Sequence, residues 1–180
     1  MNRIIILFFC ASLLTGCVSP KEEVVVIKQN RFFRCESDPA IRKTMIDLVN
    51  RARAKERDCG YSKCEPVRPI KWNARLAQAA LAHSRDMAQN DFFNHTGSNG
   101  RTVAARVKSS GYSWRSVGEN ICAGRETSAA AVAGWLTSPG HCRNIMAAGF
   151  TEIGAACFCN PDSEFGTYWT LVLASPRQTP

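Results

Sequence analysis

The chain is poor in the residues and strings that usually announce chemistry. Only three of its 180 residues are histidines, His83, His95 and His141. No apolar run reaches the roughly 18 residues that a membrane-spanning helix needs, which excludes a multi-pass helical membrane protein. There is no G-x-S-x-G elbow, no H-E-x-x-H pair and no glycine-rich phosphate loop. The usual strings of serine hydrolases, zinc peptidases and nucleotide-binding loops are therefore missing. The cysteines show no paired C-x-x-C zinc spacing. Internal repeats and low-complexity tracts are absent as well.

What is present describes one globular domain with an address in front of it. Hydrophobic residues make up 45% and charged residues 21%, ordinary values that rule out wholesale disorder. Lys and Arg number 23 against 15 Asp and Glu, a balance of +8 that suits anionic surfaces without choosing between cell wall, phospholipid and nucleic acid. Nine cysteines are many for a reducing cytosol and normal for an oxidising compartment.

Residues 1–16 have secretory layout. Met1-Asn2-Arg3 is a short positive start, Ile4 to Leu14 is apolar, and small residues precede Cys17. Leu14-Thr15-Gly16-Cys17 resembles a bacterial lipobox, in which Cys17 becomes an acylated N-terminus. Acyl chains contribute about 0.8 kcal/mol per buried CH₂, so several anchor a soluble domain firmly. The expectation is an exported chain, lipid-anchored to a bacterial membrane. Val18 does not argue for inner-membrane retention, which favours the outer membrane, periplasmic or surface-facing. Losing Arg3 leaves 22 basic residues against 15 acidic ones, or +7. Seven cysteines then remain besides Cys17: Cys35, Cys59, Cys64, Cys122, Cys142, Cys157 and Cys159. An odd number leaves one thiol outside any internal set of disulfides.

Residues 17–37 read as a tether, 38–175 as the domain and 176–180 as a tail. Asp38-Pro39 predicts a helix start. The stripe Ile41, Met45, Leu48, Val49, Ala52 carries the helix to about Arg57, with a basic solvated face of Arg42, Lys43, Arg51, Arg53, Lys55 and Arg57. Pro66 to Pro69 is a loop. Asn73 caps a second helix with Leu76, Ala80, His83 and Met87 inward. A short third helix covers about Thr102 to Ser109, a fourth opens at Thr127 or Ser128, and a fifth covers His141 to Ala147. Ser116–Cys122, Thr151–Cys159 and Thr167–Ala174 read as strands, the last with Trp169, Leu171 and Leu173 on one face. Helices with three late strands predict an α+β fold.

His83 sits on an apolar stripe and reads as a core histidine bonded to backbone. His95 follows Phe92-Phe93-Asn94 at the edge of a glycine-containing loop, where an aromatic pair can anchor an imidazole at a cleft. Glu119 shares a strand face with Val117 and Ile121, so its burial demands a cationic or hydrogen-bonding neighbour. A bulge at Gly118 is the alternative, and it would turn Glu119 out to solvent. His141 falls in the first turn of its helix, where the helix dipole favours a neutral ring. Cys142 beside it is more readily a disulfide partner than a nucleophile. Cys157 and Cys159 point to one side of a strand and are poor partners for each other; Cys122, on a neighbouring strand, could bridge to either.

Five strings occur in an order that resembles the CAP superfamily: sperm-coating proteins, cysteine-rich secretory proteins, antigen 5 and pathogenesis-related 1 proteins. They are Phe92-Phe93-Asn94-His95, Val117-Gly118-Glu119-Asn120-Ile121, Trp135 to Ser138, Pro139 to Met146, and Phe150-Thr151-Glu152-Ile153-Gly154. The bacterial secreted branch is the most similar. The resemblance spans about Asp38 to Ser175. It implies an α-β-α sandwich whose small three-stranded antiparallel sheet lies between helical layers. It also implies a cleft lined by two histidines and two acids. The histidines fall on His95 and His141 and one acid on Glu119. The stretch after Trp135 lacks the second acid, for which Glu152 is the nearest substitute. A zinc ion held by His95 and His141 fits such a cleft, with an open position for ligand. By the same resemblance Cys59 pairs with Cys142, worth roughly 4–5 kcal/mol in the chain-entropy model.

The expected function is a membrane-anchored binding module whose cleft takes a lipid, peptide or cell-wall ligand, with a divalent metal in the cleft as a further element. The alternative is a metal-assisted hydrolase of peptide or cell-wall bonds using His95, Glu119 and His141. No nucleic-acid partner is expected of an exported chain.

Overall fold

The computed structural model describes residues 35–36 and 38–177. The leader, the lipobox with Cys17 and nearly all of the tether lie outside the described residues.

Asn73 shows how local chemistry sets the frame. Its side chain accepts hydrogen bonds from the backbone of Arg75 (2.9 Å) and Leu76 (3.4 Å) and so starts α2, Ala74–Gln89. The α2 stripe then buries Leu76, Ala79, Ala80, His83, Ser84, Met87 and Ala88. The helix lies directly on the strand Glu152–Cys159. A Cβ on Gly154 would come 2.0 Å from the Ala77 backbone nitrogen, so only glycine fits there.

The elements run α1 (Asp38–Arg53), β1 (Arg57–Cys59), β2 (Ser62–Cys64), β3 (Lys71–Trp72), α2, α3 (Val103–Ser109), β4 (Trp114–Ala123), α4 (Ser128–Thr137), α5 (Pro139–Met146), β5 (Glu152–Cys159) and β6 (Thr167–Pro176). The main sheet has four strands in the order β3-β5-β6-β4. β5 and β4 flank β6 antiparallel, whereas β3 runs parallel to β5. The three-stranded antiparallel expectation is corrected by β3. That strand has two residues, too few to show an alternation, and it is made by hydrogen bonds from Lys71 and Asn73 to the carbonyls of Thr151 and Ile153.

The two faces of β6 carry two cores. Trp169, Leu171 and Leu173 pack with Ile153 and Ala155 against α1, α4 and Ile145 of α5. Val172 and Ala174 pack with Ala156 against α2 and α3. The result is an α+β arrangement with helices on both sides of a mixed sheet. Among the described residues no helix is long and apolar enough to cross a membrane.

The first helix stops at Arg53 rather than Arg57. Its end is held because Val67 donates to the Arg53 carbonyl and the chain then turns into the β1–β2 hairpin, which the sequence reading missed. Gly60, at φ +68°, makes that turn. Arg53 itself leaves the predicted solvated face. It is 1% exposed and donates to the carbonyls of Arg68, Ile145, Ala147 and Phe150.

Candidate functional site

The chain leaves α2 through Asp91, whose positive φ of 48° turns the backbone outward. Asp91 is locked there because its carboxylate accepts from the Tyr168 hydroxyl (3.0 Å) and the Glu164 backbone (2.8 Å). Of the aromatic pair that follows, Phe92 packs on the cluster of Met87, Ala88, Ile121 and Tyr168. Phe93 is 45% exposed and lines a cleft of about 330 Å³ together with Asn94, His95, Ile121 and His141.

Glu119 lies behind that cleft on β4. The strand is regular at Gly118, opposite Leu173, and its register shift falls between Trp114 and Ser116 instead. Glu119 therefore faces inward, toward α2 and α3, and is 6% exposed. Its required cation is Arg106 of α3, which sequence reading did not single out. Arg106 Nη2 donates to Glu119 Oε2 at 2.7 Å and to the His95 carbonyl at 3.0 Å. His95 Nδ1 donates to Glu119 Oε1 at 2.8 Å. Burial pushes the Glu119 carboxyl up, but the His95 hydrogen bond and the Arg106 charge outweigh it and hold the carboxyl below its ordinary range. A carboxylate only accepts, so the shared hydrogen sits on His95 Nδ1, and in the neutral ring the lone pair is on Nε2.

His83 is fully buried, and its Nε2 lies 2.9 Å from the Asn94 carbonyl, one residue before His95. As expected from its stripe, it is a core histidine bonded to backbone. Burial lowers its affinity for a proton.

His141 comes from the opposite helical layer. α5 is docked on β4 by Asn120, which donates to the His141 carbonyl at 3.0 Å, and by Asn144, which donates to Asn120 Oδ1 at 2.9 Å. The two imidazoles thus approach from opposite layers around the edge strand β4. Burial, then the nearby His95 charge, lowers the proton affinity of His141. The cleft therefore sets a His141 ring that resists protonation beside a His95 ring oriented by Glu119.

Glu152 is not among the residues lining this cleft. It opens β5 opposite Ala174, while Glu119 sits opposite Val172. Glu152 Oε2 accepts from Tyr112 (2.6 Å) and Asn73 Nδ2 (3.2 Å), so its role is to tie the start of α2 to the loop after α3.

Five of the seven described cysteines form two groups, and Cys64 and Cys122 stand outside them. Cys59 and Cys142 are bonded, joining the β1–β2 hairpin to α5. Cys35, Cys157 and Cys159 bring three sulfurs within 4.8 Å of one another, a set able to coordinate a metal ion. Cys122 is a free thiol and bridges to neither Cys157 nor Cys159. Trp169 of β6 stands opposite both Cys122 and Cys157, so a whole strand separates them.

Comparison with known proteins agrees with the fold. The model of the cysteine-rich secretory protein family, CAP, matches residues 46–173. The chain belongs to the CAP family. It is 30% identical over 131 residues to the uncharacterized protein YkwD of Bacillus subtilis, a match covering 73% of this chain and 46% of that one. It is 31% identical over 112 residues to the uncharacterized membrane protein YlbC of the same organism, covering 62% and 30%. The chain thus spans less than half the length of these curated relatives. Among solved structures, an extracellular SCP-domain protein of Bacillus anthracis superposes with a TM-score of 0.63 at 25% identity, covering 76% of this chain and 41% of that one. An outer surface protein of Borrelia burgdorferi superposes at 0.66 and 16% identity, covering 80% and 98%, which shows a shared fold.

Proposed function

We propose that this CAP domain is an exported binding module, held at a bacterial membrane by acylated Cys17, whose His95–His141 cleft takes a lipid, peptide or cell-wall ligand with a zinc ion at the imidazoles. The observation that carries this reading is the Glu119–His95 hydrogen bond. A buried carboxylate that fixes one ring nitrogen presents the other to a metal or ligand, the usual support of a metal-binding histidine. The donor set fits zinc as two neutral imidazoles with open positions. Both Glu119 oxygens are already engaged by His95 and Arg106, so Glu119 orients rather than ligates. Zinc there would act as a Lewis acid toward a bound carbonyl, carboxylate or phosphoryl oxygen.

The hydrolase reading uses the same carboxylate–imidazole pair as a base. The residues lining the cleft, Phe93, Asn94, His95, Ile121 and His141, include no hydroxyl or thiol nucleophile. An aromatic, an aliphatic and an amide beside two rings suit recognition better. The extracellular B. anthracis relative and the lipobox support export.

Titration calorimetry of zinc into the metal-stripped full chain tests the cleft. One equivalent should bind, with loss of that site in His95→Ala and His141→Ala and roughly 10- to 100-fold weakening in Glu119→Gln. Casein and peptidoglycan should be left intact. Turnover that disappears in Glu119→Gln would establish the hydrolase instead. Fatty-acid labelling should mark the wild type and miss Cys17→Ser; an unlabelled wild type removes the anchor from the account.

A further inference from the structure

Three sulfurs share one end of β5. Cys157 and Cys159 are two residues apart on the strand, so their side chains leave the same face, and their Sγ atoms lie 4.0 Å apart. Cys35, just before α1 and 122 residues upstream of Cys157, is in bonding contact with both. One sulfur makes one disulfide. A single bond therefore forms among the three, and one thiol always stands beside it. The two outcomes are unequal. Cys157 is 7% exposed, in the core beside Trp169, whereas Cys159 is partly exposed at the strand end.

We propose that Cys35, Cys157 and Cys159 form a thiol–disulfide exchange site, and that the Cys159 thiol is a modification site for small disulfides of the glutathione class. In the internal step the Cys159 thiolate attacks Cys35 Sγ. The Cys35–Cys159 bond forms as the Cys35–Cys157 bond breaks, and Cys157 departs as a thiolate that takes up the proton Cys159 lost. No sulfur is oxidised or reduced overall, so no outside oxidant is needed. In the external step the Cys159 thiolate attacks one sulfur of the small disulfide. A mixed disulfide forms and the other half leaves as a thiolate. Capping Cys159 removes the neighbouring thiol that displaces Cys157, so it holds the bond at Cys35–Cys157 and stops the internal exchange. The same three sulfurs could hold a metal only with all of them reduced. A chain that closes Cys59–Cys142 belongs to conditions in which neighbouring thiols oxidise.

The test uses the full chain purified without reductant. Acid quenching, labelling of free thiols under denaturant and fragment mass spectrometry locate bonds and thiols, keeping Cys64 and Cys122 separate. In the wild type both Cys35–Cys157 and Cys35–Cys159 should be found. Oxidised glutathione added to the native protein should converge on one product, glutathione on Cys159 with Cys35–Cys157 closed. Cys157→Ser and Cys159→Ser should each retain a bond from Cys35 to the remaining cysteine, and neither should accept glutathione at the cluster. A single connectivity in the wild type that glutathione leaves unchanged would overturn the proposal, and that measurement needs no variant to fold. Three reduced thiols with one metal ion per chain by elemental analysis would overturn it as well.

Discussion

Arg106 and His95 divide the two oxygens of Glu119 between them, at 2.7 Å and 2.8 Å. Neither oxygen is left to water, and each partner comes from a different segment: α3, and the loop after α2. The pair also closes a ring, because Arg106 donates to the His95 carbonyl at 3.0 Å. The cleft histidine is therefore positioned at both its backbone and its ring by one buried ion pair.

Removing only the charge of Glu119 should be costly for that reason. Glu119→Gln leaves the Arg106 guanidinium buried and uncompensated, and breaking a buried pair in this way costs about 3–5 kcal/mol. Arg106→Met should cost a similar amount by stranding the carboxylate. The double variant should be milder than the sum of the two, with a coupling energy of at least about 1 kcal/mol in a urea-unfolding cycle. Additive losses would mean that the two side chains stabilise the fold separately.

Acid should weaken the protein in two stages. Burial depresses proton affinity at His83 and His141. Below about pH 6.5, the ordinary imidazole value, the unfolded chain therefore binds protons that the folded chain refuses, and stability falls. Glu119 is a depressed carboxyl. Its contribution is complete above the unfolded value of about 4.3 and is lost as pH drops through the lower folded value. Asp86 adds to this second stage; burial raises it, but its bonds from Ser98 and Asn90 hold it low. In Tm measured against pH, the double variant His83→Gln/His141→Gln should flatten the limb between about pH 6.5 and 5 and keep the lower one. An unchanged upper limb in that variant would assign the loss to other groups.

The parts of this molecule that were legible in sequence are the periodic ones. The alternation of Trp169, Leu171 and Leu173 against Thr170 and Val172 fixed both faces of β6, and Asn73 announced α2 one residue ahead of it. Burial of Glu119 could be argued from its neighbours, as could its need for a cation. Which cation could not, since nothing local marks Arg106 among 23 basic residues. β3 and the β1–β2 hairpin escaped because strands of two and three residues carry no period. Cys35 escaped as a partner of Cys157 and Cys159 because its approach to β5 depends on where α1 begins in space. Sequence parity made Cys157 and Cys159 poor partners for each other, but it could not set Cys122 aside without the strand order that puts β6 between them.

Arg53 shows that a basic side chain on a surface helix need not belong to its solvated face. Two residues along a helix turn a side chain by about 200°, so Arg53 stands away from Arg51 and one turn past Val49 on the buried stripe. Its guanidinium reaches four carbonyls, three of them between Ile145 at the end of α5 and Phe150 before β5. Those carbonyls have the Arg53 N–H groups as partners within a buried junction. Replacing the side chain strands them, at about 1–3 kcal/mol for each that water cannot reach. Arg53→Met keeps the apolar stem and removes only the donors, so it should lower stability by about 3 kcal/mol or more in urea unfolding. Arg51→Met, on an exposed turn of the same helix, should change it by no more than about 0.5 kcal/mol. Because α5 carries His141, the Arg53 variant should also weaken zinc binding while leaving every cleft residue in place. Equal stability in the two variants would return Arg53 to the solvated face.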